Sequence, residues 1–389
     1  MKKFFKRILH SAIRLLPPFL RHEVVRRSIQ LPLSLPSELI FKIAETTEEL
    51  EASFKLVYEV YLELGYCSEN AFQMRATIYH ALPTTTTLIA VDQGKVIGTL
   101  TIVRDNRLGL PLDNVFDVKA LRKNSKRLAE ITSLVIHKDY RREKGGQILF
   151  PLLRLMYEYS TSYFGVNHLL VTIHPKNVDF YKSLLLFKIV RNTTVEMYLG
   201  APAICLELDL NSALFDYRKT YSQRNNLTNL FYFFIERKIV NIQLPKRTFN
   251  KINDPIVHMP YFQEFFVKKL MVSLHRTERR RVESCLKQAK SQRVHPRIEV
   301  EAPAQFSEGR MTVKDVSRTG FRATFAVEFK IEDRFELQVE VAPQVFANLI
   351  ASVVWMNSDK SAGFEIISSD ENWKKFINFL YADQFGETG

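Results

Sequence analysis

The sequence predicts an α+β protein of several domains: an α/β domain, a helical connector, and a small all-β barrel that a helix closes. The length of 389 residues gives room for two or three domains. From about residue 40 helical and strand patterns alternate, as in α/β folds. From residue 291 the pattern changes to short strands separated by turns. We therefore predict an arm at 1–35, the α/β domain at 36–215, the connector at 216–290 and the barrel at 291–389.

The first residues predict a basic amphipathic helix. Apolar side chains recur at helical spacing from Phe4 to Leu16, lysines and arginines fill the other side, and Pro17-Pro18 ends the helix. Residues 1–30 carry eight Lys and Arg against one acid. We expect this arm to lie on the cytoplasmic face of an anionic inner membrane. The alternative is a helix packed on the protein's own body.

The α/β domain is predicted from a series of strand and helix patterns. Residues 54–66 have helical periodicity, and residues 86–103 read as two strands joined at a turn containing Gly94. A β-rich run at 129–137 leads through the basic turn RREKGG into a long amphipathic helix. Further strands are expected at HLLVTIHP, KIVRNTTVEMYL and ICLELDL, with a short helix at NVDFYKSLLLF.

The basic turn is suited to phosphate, because a helix N-terminus presents unpaired N–H groups and the positive end of a dipole. The residues that could hold a pantetheine phosphate or a pyrophosphate are Arg141, Arg142, Lys144, Gly145 and Gly146. The alternative is a solvated basic turn.

Together these segments resemble the GNAT-like acyltransferases, and more narrowly the N-acyl amino acid synthases, relatives of the acyl-homoserine-lactone synthases. The resemblance covers about residues 40–275. It is carried by VYEVYLELGY, VIGTLTIV, AEITSLVIHKDYRREKGG, HPKNVDFYKSLLLF, APAICLELDL and HMPYFQEFF.

This resemblance implies transfer of a fatty acyl group from acyl carrier protein, or from coenzyme A, to the amine of an amino acid. Glu130 matches the family's acidic residue, with a role in positioning or deprotonating the amine. Tyr181 matches a tyrosine that protonates the departing thiolate. The backbone of Leu134 to Ile136 would bind the pantetheine arm. The alternatives are a capping carboxylate for Glu130 and a core aromatic for Tyr181.

Two positions depart from the resembled patterns. Ser133 stands where the autoinducer-like pattern has an arginine, and Gln147 stands where the acyl-CoA signature has a small residue. The altered turn fits a carrier-protein donor better than free coenzyme A. It also fits a domain that has lost its activity.

The connector reads as helical, aromatic at first and basic towards its end. We expect its phenylalanines to pack on the α/β domain or to shape an acyl tunnel. The segment lacks a nucleic-acid recognition module, which argues against a nucleic-acid partner. No metal site is expected either, because the cysteines and the histidines at 80, 137 and 174 lack ligand spacing.

Two short motifs frame the start of the barrel. QRVHPR holds two arginines four residues apart, and DVSRTG follows between the second and third strands. Arginine forks suit phosphate and the O6/N7 edge of guanine, and an aspartate can accept from guanine N–H groups. The pair of motifs therefore suits an anionic ligand that carries guanine.

These motifs resemble those of the PilZ domain, a bacterial receptor for cyclic di-GMP. The residues that match its motifs are Arg293, Arg297, Asp315, Ser317 and Gly320. The two resemblances together imply a cytoplasmic N-acyltransferase that cyclic di-GMP regulates. The alternative is a non-enzymatic cyclic di-GMP effector that uses an inactive acyltransferase fold as a scaffold.

Overall fold

The computed structural model describes residues 17–82, 84–106, 108–123, 127–141, 145–163, 165–245, 276, 279–280, 297–327, 329–358 and 360–385. They fall into two compact units. The N-terminal unit lies within Met1–Ala76, Thr85–Ser162 and Val166–Leu244, and the C-terminal unit lies within Thr77–Thr84, Tyr163–Gly165 and Pro245–Gly389. The predicted features outside the described residues are the amphipathic helix before Pro17, Arg142, Lys144, the segment 258–266 and Arg293. The predicted domain boundaries stay predictions.

The N-terminal unit contains one mixed sheet with helices on both faces. Its elements are α1 (Pro18–Arg27), β1 (Leu39–Ile43), α2 (Thr47–Glu63), β2 (Thr85–Asp92), β3 (Lys95–Arg104), α3 (Lys119–Lys123), β4 (Leu128–Ile136), α4 (Lys138–Arg141), α5 (Gly145–Ser162), β5 (His168–Ile173), α6 (Val178–Ser183), β6 (Lys188–Ile189), β7 (Glu196–Tyr198), β8 (Ala201–Asp209) and α7 (Leu210–Tyr221). The strand order is β1-β2-β3-β4-β5-β8-β6, and β7 pairs with β8. Within the described residues, no helix is both long and apolar enough to cross a bilayer.

The two long helices cover opposite faces of this sheet. The hydroxyls of Ser53 on α2 and Thr99 on β3 are 2.7 Å apart, whereas Ile148 and Leu152 of α5 pack against Gly98. Successive residues of a strand point to opposite faces. The α2 face and the α5 face are therefore the two sides of the sheet.

The parallel strands β4 and β5 separate partway along their length. Their pairing ends at Ile131 and Val171, while β4 continues to Ile136 beside β3. The β3–β4 register passes from Thr101↔Thr132 to Thr99↔Val135, so β4 contains a bulge at this point. The part of β4 beyond Ile131 therefore has a neighbouring strand on one side, β3.

The first part of the predicted connector helix is shorter in the structure than the sequence pattern suggests. A π-helical turn covers Tyr232–Glu236, and Arg237 ends it in an extended conformation. The Arg237 guanidinium donates to the carbonyl of Pro32, which draws the chain away from the helix axis. The side chains of Phe233 and Phe234 are buried in the N-terminal unit, as predicted for packing on its body.

The C-terminal unit contains the predicted barrel. Its strands are β9 (Ile298–Phe306), β10 (Gly309–Val316), β11 (Gly320–Phe325), β12 (Arg334–Ala342), β13 (Val345–Met356) and β14 (Ser361–Ser369), followed by the helix α8 (Glu371–Phe385). They form a closed barrel in the order β10-β11-β14-β13-β12-β9, because β9 pairs with both β10 and β12.

The helix α8 completes the core of the barrel. Trp373 and Phe376 are buried with barrel residues such as Phe321 and Phe364. The rings of Phe321 and Phe364 stack with centroids 4.8 Å apart. This observation confirms a small all-β barrel with a closing helix.

Candidate active site and ligand site

Glu130 is a buried carboxyl group on β4, with 1% of its surface exposed. One carboxylate oxygen accepts the backbone N–H of Leu112 at 2.8 Å, and the other has no partner among the described residues. Burial raises the pKa of this carboxyl to about 8, and nearby Asp113 adds to the rise. Glu130 therefore changes charge in the neutral pH range, as a general acid or base must.

The Leu112 N–H is held in place by a charged clamp. Arg122 on α3 donates to Asp105 at 2.7 and 2.9 Å and to Asp113 at 3.0 and 2.6 Å. Asp113 in turn accepts the backbone N–H of Leu110 at 2.7 Å. The 3-10 turn Pro111–Asn114 that carries Leu112 is thus fixed from both sides.

Glu130 lies on the α2 face of the sheet. The register pairs Val103 with Glu130 and Thr101 with Thr132, and directly opposite residues share a face. Thr99, two residues before Thr101, contacts α2. The open oxygen of Glu130 is therefore on the side of the sheet where α2 lies.

Tyr61 of α2 joins this site, although the sequence analysis did not select it. Its hydroxyl lies beside Ser133, and the charge of Glu130 acts on it. Ser133 is the bulge residue of β4 and has φ 54°, a left-handed conformation that is uncommon outside glycine. Phe54, Val57 and Tyr61 lie on one face of α2 at helical spacing, and Phe54 and Val57 are buried. This spacing is the sequence signal that Tyr61 points towards the sheet.

Tyr181 lies close to Tyr61. Burial raises the pKa of Tyr181 to about 12, with a contribution from Tyr61, so its hydroxyl stays protonated at neutral pH. Its ring packs edge-on against Phe180 and Phe187, with centroids 5.6 and 5.5 Å apart. Tyr61 thus lies near both Glu130 and Tyr181.

The predicted donor-binding residues lie where β4 leaves β5. Leu134 and Ile136 follow the last residue of β4 that pairs with β5, and Gly145 and Gly146 begin α5. Arg141, however, donates from Nε to the Ile136 carbonyl at 2.7 Å. Its guanidinium therefore closes the turn between β4 and α5 in this structure.

The cysteine and histidines near this site have other roles. Burial raises the pKa of the Cys205 thiol far above its usual value, which keeps it protonated. His137 and His174 accept backbone N–H groups of Asp139 and Lys176 through Nδ1. No cluster of metal-ligating side chains occurs among the residues that the structure describes.

The barrel contains a second polar site, centred on the buried Asp315. One of its oxygens accepts from Arg297 and the other from Arg322, both at 2.6 Å. Ser317 donates from its backbone N–H and its hydroxyl to the Gly320 carbonyl, at 2.7 and 3.1 Å. Arg297, Asp315, Ser317 and Gly320 of the two motifs thus lie together, whereas Arg293 is outside the described residues.

Arg322 is the residue of this site that the sequence analysis missed. It lies directly opposite Asp315 in the β10–β11 pair. The sequence signal for Arg322 is the register of that hairpin, which makes the opposite charges of Arg322 and Asp315 cross-strand neighbours. Two guanidinium groups held by one carboxylate can present their remaining N–H groups to an anion.

A comparison with protein families concerns the N-terminal unit. Residues 52–209 match the family model described as N-acyl amino acid synthase FeeM. This part of the chain therefore has the acyltransferase fold of that family, which confirms the predicted fold. The sequence has no match among curated proteins.

Three solved structures illustrate the likeness. FeeM, an N-acyl amino acid synthase from uncultured soil microbes, is 24% identical, with 46% of this chain and 93% of FeeM covered and a TM-score of 0.39. The CoA-dependent acyl-homoserine lactone synthase BjaI is 13% identical, with coverages of 54% and 94% and a TM-score of 0.40. The synthase LasI is 19% identical, with coverages of 46% and 96% and a TM-score of 0.37.

Proposed function

We propose that this protein transfers a fatty acyl group from the thioester of acyl carrier protein, or of coenzyme A, to the amine of an amino acid. The observation that carries the proposal is Glu130. It is a buried carboxyl with a pKa near 8 and one open oxygen, and it lies within the part that matches N-acyl amino acid synthases. A further part of the proposal is that the barrel is a PilZ domain whose ligand, cyclic di-GMP, regulates this reaction.

The reaction needs a base for the amine and an acid for the thiolate. Ionised Glu130 takes a proton from the ammonium group, directly or through water, and the neutral amine attacks the thioester carbonyl. A C–N bond forms, the C–S bond breaks, and the departing thiolate takes a proton from the Tyr181 hydroxyl. The nitrogen, still positively charged after the attack, gives its second proton to the Tyr181 oxygen, directly or through water, which leaves a neutral amide. Glu130 then releases its proton to solvent, which completes the cycle.

The donor would bind along the unpaired edge of β4. The backbone N–H and C=O groups of Leu134 to Ile136 are suited to the amides of a pantetheine arm, in the way that an added strand is bound. The N-terminus of α5 at Gly145 and Gly146 is suited to the pantetheine phosphate. For this binding Arg141 would leave the Ile136 carbonyl and turn towards the phosphate.

The experiment is a turnover assay with the purified full chain. Palmitoyl-acyl carrier protein and palmitoyl-CoA are each incubated with an equimolar mixture of the protein amino acids, and products are identified by mass spectrometry. We expect an N-acyl amino acid, with its rate reduced at least about 100-fold in Glu130→Gln. The control is Glu158→Gln, a carboxyl on α5 away from the site, which should retain activity. Absence of product from the unaltered chain with either donor rejects the enzyme proposal.

The barrel proposal rests on the two arginines that share Asp315. Arg297 and the motif residues Ser317 and Gly320 lie near this carboxylate, so positive charge, a hydroxyl and a backbone position without a side chain are present for a nucleotide. We expect calorimetric titration of the full chain with cyclic di-GMP to show binding that Arg297→Ala weakens at least about 10-fold. Arg293→Ala should have a similar effect, whereas Arg310→Ala, an exposed barrel arginine, should not. Equal affinity in all four proteins contradicts this ligand site.

A second candidate function is a non-enzymatic effector, favoured by the Arg141 contact. The Arg141 side chain occupies the Ile136 carbonyl, which a pantetheine arm would need. In that case the acyltransferase fold is a scaffold and cyclic di-GMP binding is the activity. Binding in calorimetry together with no product in the turnover assay would support this function.

We also propose peripheral binding to the inner membrane through the N-terminal arm. Within the arm, α1 exposes Phe19, Leu20 and Val24 and ends with Arg26 and Arg27. Vesicle flotation should show binding to phosphatidylglycerol vesicles at low salt, and little binding to phosphatidylcholine vesicles. Deletion of residues 1–16 should abolish it, and unchanged flotation after the deletion would contradict this proposal.

A further inference from the structure

Arg75 is a half-buried arginine next to the candidate active site, and the proposed reaction does not use it so far. Its backbone N–H donates to the carbonyl of Phe54 at 3.0 Å, which fixes it against α2. Its guanidinium carbon lies 5.3 Å from the centroid of the Tyr61 ring. Across the part of the chain that the structure describes, this guanidinium forms no ion pair and no hydrogen bond.

The ring beneath Arg75 is itself held at the site. Tyr61 packs edge-on against Tyr66, with centroids 5.7 Å apart and an angle of 87°. The Tyr61 hydroxyl lies beside Ser133 at the bulge of β4. A stacked arginine loses little freedom when it binds an anion, because its fork is already oriented.

Arg75 and Glu130 are both close to Tyr61, which relates their positions to each other. The charges of both Arg75 and Glu130 act on the Tyr61 hydroxyl, so all three groups lie in one neighbourhood. They are on the α2 face of the sheet, where the open oxygen of Glu130 lies. A substrate whose amine reaches Glu130 has an unpaired cation within the same neighbourhood.

We propose that Arg75 binds the α-carboxylate of the acceptor amino acid, so that the protein acylates free amino acids in preference to amines or amides. This inference rests on the proposed acyl transfer. Arginine is suited to this task because its fork matches the two oxygens of a carboxylate. The carboxylate and the amine of an amino acid share one carbon, so binding the first at Arg75 orients the second towards Glu130.

A phosphate of the acyl donor is the other anion that could reach an arginine. The turn proposed for that phosphate begins α5, which covers the opposite face of the sheet. Arg75 is tied to α2 through Phe54 and Tyr61. The geometry therefore favours the carboxylate of the acceptor over the donor phosphate as the anion at Arg75. The two anions predict different kinetic effects, on the KM of the acceptor or on the KM of the donor.

The test compares acids with their uncharged analogues. The preferred amino acid from the turnover assay and its carboxamide are measured as acceptors for the unaltered chain, Arg75→Gln and Arg75→Lys. Loss of charge-assisted hydrogen bonds should raise the KM for the acid by about 10- to 100-fold in Arg75→Gln. In Arg75→Lys the KM for the acid should lie between the values of the unaltered chain and Arg75→Gln. The KM for the carboxamide and the KM for the donor should change little in both variants. Arg218→Gln, which removes another arginine stacked on an aromatic ring, Phe231, is the matched control.

An equilibrium measurement separates this inference from the proposed reaction. Binding of N-palmitoyl-glycine and of its methyl ester is measured by calorimetry below the micellar concentration. We expect the unaltered chain and Arg218→Gln to prefer the acid, and Arg75→Gln to lose this preference. An equal preference for the acid in Arg75→Gln overturns the inference, as does a rise in the KM of the donor alone. If the preference for the acid depends on Arg75 but no turnover occurs, the proposed acyl transfer is rejected, whereas binding of a carboxylate at Arg75 is supported.

Discussion

At the scale of single residues, Glu130 makes a prediction about stability. Its pKa is about 8 in the folded chain and 4.5 in an exposed carboxyl, so the folded state retains a proton that the unfolded state releases above pH 4.5. Stability is therefore lost as pH rises from 4.5 to 8, and the loss is about 3 kcal/mol at pH 7. Glu130→Gln avoids this loss, because the amide stays neutral and its oxygen can still accept from Leu112.

We therefore expect Glu130→Gln to melt at a higher temperature than the unaltered chain at pH 8, with the difference vanishing near pH 4.5. Differential scanning calorimetry between pH 5 and pH 8 measures it, and the transition of the N-terminal unit is the one to follow. Glu158→Gln should show no such pH dependence. A melting difference that is constant with pH would mean that Glu130 is ionised in the folded state.

Single residues also show the limits of the sequence analysis. Glu130, Tyr181 and Asp315 could be selected because each stands in a local pattern. Tyr61, Arg75 and Arg322 could not, because their roles depend on residues distant in sequence. The Tyr61–Ser133 contact requires the bulge of β4, and the Arg322–Asp315 pair requires the register of one hairpin. Neither a bulge position nor a register is determined by local periodicity alone.

At the scale of elements, the segment between β3 and β4 acts as a brace for Glu130. Arg122 joins Asp105 at the end of β3 to Asp113 beside Leu112. Both ion pairs are partly buried. Removing the arginine leaves two carboxylates without a counter-charge, which lowers the free energy of unfolding.

Arg122→Ala should therefore displace the Leu112 N–H and lower turnover by about 10-fold or more, since small misplacements are costly in catalysis. We also expect a loss of about 1–3 kcal/mol of stability. Arg191→Ala, an exposed arginine of the same unit, is the control for both measurements. Unchanged kcat in Arg122→Ala would show that this segment does not position Glu130.

The turn between β10 and β11 makes a prediction about the barrel. A Cβ atom at Gly320 would collide with the carbonyl oxygen of Phe364 on β14, so this position accepts only glycine without movement of the strands. Gly320→Ala should weaken cyclic di-GMP binding and lower the melting temperature of the C-terminal unit, measured by calorimetry. Thr324→Ala on the same strand should do neither. Full retention of both properties in Gly320→Ala would show that the strand can move at no cost.

Elements were the best predicted level of the structure. The strands at 86–103 and 129–137 and the six barrel strands follow from alternation and turn residues, and the structure contains all of them. The helix predicted after Asn226 is a single π-helical turn instead. Its end depends on the contact of Arg237 with Pro32, about 200 residues earlier in the sequence, which no local pattern reveals.

At the scale of the whole molecule, the chain joins an acyltransferase fold to a β-barrel. If cyclic di-GMP regulates acyl transfer, saturating nucleotide must change the rate or the donor KM in the full chain. A change of at least about 5-fold corresponds to ordinary coupling free energies. Arg297→Ala should abolish the response while retaining the basal rate. Equal turnover with and without bound nucleotide would contradict regulation and leave binding as a separate property.

The most direct test of the account is the pH dependence of turnover in the unaltered chain and in Glu130→Gln. Acyl transfer from palmitoyl-acyl carrier protein to the preferred amino acid is followed by mass spectrometry between pH 6 and pH 9. In the proposed reaction the ionised carboxylate is the base, so the ratio of the two rates should rise with pH and level off above a pKa of about 8. A ratio near one at every pH, or a ratio that falls as pH rises, would contradict Glu130 as the base of an N-acyltransferase.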